Sequence, residues 1–149
     1  KSKKIKFDKI ISSYALYYSK NPIKVISKCS KFLEKNGKFL ITAPCYPHTL
    51  TEFASHQKTL PKIAKKYINF SSKKLEVYLK KKKINKRILN FKNFLKFREY
   101  DDLLNFYRST VFYNKKSEDS LKKIFLKEKK RIGYFNIIKS AKLYIFKTN

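Results

Sequence analysis

Two short apolar runs, set one crossover apart, constrain this chain most. Residues 7–12, Phe7-Asp8-Lys9-Ile10-Ile11-Ser12, and residues 39–43, Phe39-Leu40-Ile41-Thr42-Ala43, read as strands. β-Branched and aromatic residues dominate both. Their nearly continuous apolar character is that of strands covered on both faces. Between them, Asn21-Pro22 opens a helix, because Asn caps and Pro fits the first helical position. Ile23, Ile26, Cys29 and Leu33 then recur at helical spacing, and Asn36-Gly37 reads as the stop signal. Strand, helix and strand in this order form a parallel crossover unit, expected to be right-handed.

The chain has 149 residues, enough for one domain with a core of its own. No run of 18 apolar residues exists, so no membrane-spanning helix is expected. The basic start lacks the apolar region and small-residue cleavage site of a signal peptide. With no Met and Lys1 at its head, the chain reads as a piece of a longer protein.

A net charge of +28 points first to nucleic acid or an anionic surface. Yet only four of the 38 basic residues are arginine: Arg87, Arg98, Arg108 and Arg131. Lys, Asn, Ile, Phe and Tyr abound while Gly, Ala, Pro and Arg are scarce, the bias of A+T-rich codons. Such a bias produces lysine without selection for a polyanion, and nucleic-acid interfaces favour the planar fork of Arg. Nucleic acid therefore stays open as a partner but is not favoured. Cys29 and Cys45 suggest no disulfide framework, so a reduced, cytoplasmic setting is expected. Cys45-x-x-His48 with His56 matches no common zinc spacing, and no metal is expected.

After Pro44 the pattern changes. Leu50, Phe53, Ala54 and Gln57 suggest a short helix, and Pro61 starts another with Ile63, Ala64 and Tyr67 on its inner side. Ser72 can cap a helix carrying Leu75, Tyr78 and Leu79, which the lysines at 80–83 close. Residues 86–97 read as a strand. Tyr100, Leu103, Leu104 and Tyr107 form a helical stripe, and Ser117-Glu118-Asp119 a capped, acidic helix start. Residues 141–147 are the last strand, with Leu143 and Ile145 on one face and Tyr144 and Phe146 on the other.

The run Phe7-Asp8-Lys9-Ile10-Ile11-Ser12-Ser13-Tyr14-Ala15-Leu16 and the run Leu33-Glu34-Lys35-Asn36-Gly37-Lys38-Phe39-Leu40-Ile41-Thr42-Ala43-Pro44 resemble the fourth and fifth strands of class I S-adenosylmethionine-dependent methyltransferases. The aromatic-rich later strand and the segment 100–110 are similar to enzymes methylating small carboxylic acids, such as trans-aconitate methyltransferases. The resemblance implies an α/β fold: the C-terminal half of a doubly wound, mostly parallel Rossmann-like sheet with a helical lid insertion and the N-terminal strands missing. Residues 1–149 would be a partial domain, strands four to seven. The family's Gly-rich turn has no counterpart here, since only Gly37 and Gly133 are present. The piece alone is therefore expected to bind cofactor weakly and to be inactive by itself.

Open parallel sheets bind ligands beyond the carboxyl ends of their strands. Ser12, Ser13 and Tyr14 stand just past such an end. Small hydroxyl residues there let a ligand approach the backbone, and Tyr14 or Tyr17 could face a sulfonium. Ser12, Ser13, Tyr14 and Tyr17 are thus the expected cofactor-binding residues, and S-adenosylmethionine the expected cofactor. Tyr18, Tyr46, Arg108 and Tyr113 are candidates for the acceptor, Arg108 as a clamp for an acidic group. His48 is the candidate general base. The expected function is methyl transfer from S-adenosylmethionine to a small molecule, a carboxylic acid among the candidates. The alternatives are an RNA or DNA methyltransferase and a non-catalytic basic binding domain.

Overall fold

A computed structural model of the chain describes residues 5–147, apart from the side chains of residues 67, 68, 71 and 72. Strand β1 (Phe7–Ser13) leads through a 3-10 turn (Leu16–Tyr18) into helix α1 (Pro22–Ser30) and strand β2 (Leu33–His48). Three helices come next: α2 (Thr49–His56), α3 (Lys62–Asn69) and α4 (Glu76–Lys81), the last two joined by a π-helical turn, Phe70–Leu75. Then come β3 (Lys86–Phe97), α5 (Tyr100–Arg108), a 3-10 turn (Lys115–Ser117), α6 (Glu118–Ile132) and β4 (Phe135–Phe146). The strands form one sheet in the order β1-β2-β4-β3. This is the expected α/β architecture.

The strand–helix–strand order and the parallel pairing are as expected. β1 and β2 run parallel, with Lys9 opposite Lys38 and Ser13 opposite Thr42. The side chain of Asn21 accepts from the Lys24 amide at 3.0 Å, and Pro22 takes the first helical position. Ile26 is fully buried on the inner face of α1, a burial worth about 1.5–3 kcal/mol.

Gly37 does something other than stop a helix. α1 ends at Ser30, and Leu33 already belongs to β2. Between the pairs Phe7–Leu33 and Lys9–Lys38 the register slips, because β2 spends extra residues there. A Cβ at Gly37 would lie 3.0 Å from the Phe7 carbonyl oxygen, 3.0 Å from that of Glu34 and 2.9 Å from Leu33 Cδ2. The glycine is needed for close backbone approach within the bulge. The C-terminal helix signal belongs instead to Gly133, left-handed at φ 83° after α6.

Among the described residues β1 stands at one end of the sheet order, with Ile11 69% exposed and Phe7 exposed as well. The described residues leave open the faces that its apolar run is expected to cover. Ser72 sits inside the π-helical turn and not ahead of a helix. Ser117 does precede α6, but its side chain caps nothing there, because its backbone is already helical at φ −97°, ψ −1°. The expected inward face of Tyr67 and the capping hydroxyl of Ser72 lie outside the described side chains.

The chain divides into two compact units. The first comprises described residues within Lys1–Tyr46, Lys66–Phe91 and Ser140–Asn149. Its core holds Ile26, Phe39, Ile41, Ala43, Phe70, Leu75, Leu79, Tyr144 and Phe146, with Phe39 and Phe146 stacked at 5.5 Å. The second comprises Pro47–Lys65 and Lys92–Lys139. There Leu50, Phe53, Leu103, Tyr107, Leu121, Phe125 and Ile137 are buried, and Phe53 meets Tyr107 edge-on at 5.9 Å. Among the described residues no helix is long and apolar enough to cross a membrane.

Candidate functional site

The carboxyl end of β1 is shaped by one backbone choice. Tyr14 has φ 50°, a left-handed conformation that costs a bulky residue about 1–2 kcal/mol. Its amide still donates to the Thr42 carbonyl at 3.1 Å, so the turn is held against β2. The ring of Tyr14 is 44% exposed, and Ser13 beside it is exposed too. Ser12 is half-buried. The structure thus brings Ser12, Ser13 and Tyr14 together at a strand end, with an accessible aromatic face.

Tyr17 differs. Its ring is buried, and its contact with Tyr18, at 4.7 Å between centroids, supports a neighbour that is 63% exposed. The aromatic surface on offer here is therefore Tyr18. Tyr46 is exposed on β2, and strand alternation puts it on the side opposite Cys45.

Four residues of the first unit that sequence reasoning did not assign to the site converge nearby. The Glu76 Oε1 atom accepts from Lys142 Nζ and from the Tyr144 hydroxyl, each at 2.8 Å. Glu76 opens α4 immediately after the π-helical turn, whose wider coil re-aims the side chains beyond it. Lys142 and Tyr144 are two apart on β4 and share a face. Cys45 and Tyr14 feel the same charges. Burial pushes the Cys45 thiol up, Lys142 opposes and Glu76 adds to the rise. Burial, then Cys45, raises Tyr14. Burial pushes Glu76 up, but hydrogen bonds from Lys142 and Tyr144 outweigh it and hold the carboxyl below its usual range. Burial and the Glu76 carboxylate push the Tyr144 phenol well above its ordinary value. At neutral pH this arrangement presents protonated hydroxyl and thiol groups around one carboxylate–ammonium pair. It offers hydrogen-bond donors and no thiolate nucleophile. No pattern in the sequence links Glu76 to β4; only the shared face of residues 142 and 144 was readable.

The remaining candidates lie in the second unit. His48 caps α2: its Nδ1 accepts from the Thr51 amide at 3.4 Å and meets the Thr51 hydroxyl at 3.1 Å. Phe112 packs against its ring at 5.4 Å. Burial, and then Lys139, lower its pKa. An Nδ1 that accepts from an amide puts the neutral ring's proton on Nε2. This His is a helix cap, not a loop residue. Arg108 is also engaged. Its fork donates to both carboxylate oxygens of Glu118 at 3.1 Å, and the Tyr113 hydroxyl donates to the same carboxylate at 3.0 Å. The expected clamp for an acidic ligand thus holds a carboxylate of its own chain.

A family model for a methyltransferase domain matches residues 1–101, and the chain belongs to that family. Two solved structures share the fold. One is a candidate methyltransferase from Bacillus halodurans C-125, with TM-score 0.55 and 9% identity over 95% of this chain and 64% of that one. The other is the YcgJ protein of Bacillus subtilis, with TM-score 0.50 and 17% identity over 97% of this chain and 65% of that one. The chain thus spans just under two thirds of either protein. No curated protein matches it.

Proposed function

We propose that this chain is strands four to seven of a class I methyltransferase, and that the protein moves a methyl group from S-adenosylmethionine to a small-molecule acceptor in the cytoplasm. The observation that carries the reading is the turn after β1. In a chain of the methyltransferase family, two hydroxyl residues and an exposed, left-handed tyrosine stand at the carboxyl end of a parallel strand. That is where open parallel sheets take ligands.

The residues suit the cofactor. Ser12 and Ser13 would donate to its carboxylate, and the Tyr14 ring would face its cationic sulfur. When bound, S-adenosylmethionine supplies an electrophilic methyl group. This chain's own contribution is alignment: holding acceptor and donor in line can supply much of the barrier reduction without a dedicated base. His48 suits that view, since its Nδ1 is committed to α2. Tyr18 and Tyr46 present exposed rings to an acceptor. Arg108 and Tyr113 are engaged by Glu118, so a carboxylate acceptor has no advantage over hydroxyl and amine acceptors.

The test is thermal melting of the full-length protein with S-adenosylmethionine. The melting temperature should rise, and Tyr14→Ala should lose most of that rise while folding normally. No rise, or an undiminished rise in Tyr14→Ala, rejects the assignment.

A further inference from the structure

A cavity of about 430 Å³ in the first unit lies apart from the turn after β1. It is lined by Lys38 of β2, by Asn85, Lys86 and Arg87 at the entry to β3, and by Ile145, Phe146 and Lys147 at the end of β4. Lys38 stands in the amino-terminal part of the parallel pair, opposite Lys9. From Lys38 to Thr42, which holds the turn after β1, is four residues of strand, roughly 13 Å. The methyl-transfer reading makes no use of this cavity.

Among the described residues, four of the seven that line it are cations and none is acidic, so the charge they bring is positive. Among the described residues no ion pair engages Lys38, Lys86 or Arg87. Lys147 reaches the Asn36 amide oxygen, at 3.3 Å. Lys86 does contribute to the field at Glu76, but that carboxylate is bonded to Lys142 and Tyr144. The floor is apolar and fixed, since Phe146 is buried and stacked on Phe39. Like charges gathered over a low-dielectric floor repel one another and strengthen the attraction for an anion. Arg87 adds a planar fork that suits two oxygens of one phosphate, while the lysines act as point charges. A volume in the range of small-molecule sites exceeds what a lone phosphate fills.

We propose that this cavity binds a ligand through more than one phosphate group. Free nucleotides and the backbone of a nucleic acid share that chemistry. The test titrates the full chain at low salt with tripolyphosphate, and separately with a labelled short oligothymidylate. Tripolyphosphate should bind saturably. Lys86→Gln with Arg87→Gln should weaken it at least roughly tenfold, the effect of removing two charge-assisted contacts. Lys123→Gln with Lys127→Gln on α6 removes the same charge elsewhere and should change affinity little. Should the first pair fail to fold, Lys38→Gln with Lys147→Gln makes the same comparison. Competition between the two probes identifies a nucleic-acid backbone as the source, with a salt slope that falls by about one unit per cation removed. Tripolyphosphate binding without competition identifies a phosphorylated small molecule. Absence of saturable tripolyphosphate binding, or equal losses in the cavity and control variants, overturns the proposal.

Discussion

One oxygen of Glu76 receives both the Lys142 ammonium and the Tyr144 hydroxyl, and cutting that junction has a calculable cost. Tyr144 is fully buried, while the Glu76 and Lys142 side chains are 34% and 30% exposed. A hydrogen bond to a charged group contributes about 1.5–3 kcal/mol, and a solvent-reached ion pair about 0.5–1 kcal/mol. Solvent access argues for the lower ends. Glu76→Ala should then cost about 2–3 kcal/mol. Tyr144→Phe keeps the ring and loses the bond to Glu76, for about 1–2 kcal/mol. Because both variants break the same bond, the double variant should cost less than the sum of the two by about 1 kcal/mol. Urea denaturation followed by circular dichroism gives all three values, provided the slopes agree. Additivity to within about 0.3 kcal/mol would refute the junction. The lowered Glu76 pKa adds a pH dependence. The unfolded carboxylate takes its proton first, so the stabilisation is present above about pH 4.3 and is lost as pH falls through the lower folded value. Glu76→Gln should remove that share of the acid sensitivity.

Three further outcomes are expected. Gly37→Ala should destabilise the chain by about 1–3 kcal/mol, because two of the three crowding atoms are backbone carbonyls that cannot swing away; an unchanged denaturation midpoint would show that the bulge can relax. His48 stays neutral in the fold to a lower pH than in the unfolded chain, so stability should decline as pH drops below about 6.5. His48→Asn retains a capping side chain and should flatten that decline, whereas His48→Ala should cost about 1 kcal/mol at neutral pH; thermal melts from pH 5 to 8 compare them. Cys45, its thiol pushed up by burial, should alkylate slowly with iodoacetamide at neutral pH and faster above the usual thiol range, read by mass spectrometry on a Cys29→Ser background. Fast labelling at pH 7 would contradict it.

The sequence was most readable where the signal is local. Asn21-Pro22 opens α1, residues 86–97 are β3, and the lysines at 80 and 81 close α4, each through capping, period or dipole acting within a few residues. It was least readable where a residue answers to a distant part of the chain. Gly37 serves a carbonyl on β1 and not a helix end. In the candidate site, Ser12, Ser13 and Tyr14 were legible from their place after a strand, but Glu76 meets Tyr144 across 68 positions. His48 and Arg108 were noticed for their chemistry, and their partners, Thr51 and Glu118, assign them to capping and ion pairing.

The wide turn at Phe70–Leu75 has a consequence for how the protein tolerates change. An α-helix advances about 100° per residue, so a coil that takes in one more residue per turn works as a phase shifter for everything downstream. Deleting a single residue there would let the helix fall back into ordinary winding with position 76 still facing Lys142 and Tyr144, whereas restoring ordinary winding with every residue kept would swing it about 100° away. Within this stretch, winding and spacing can change only together.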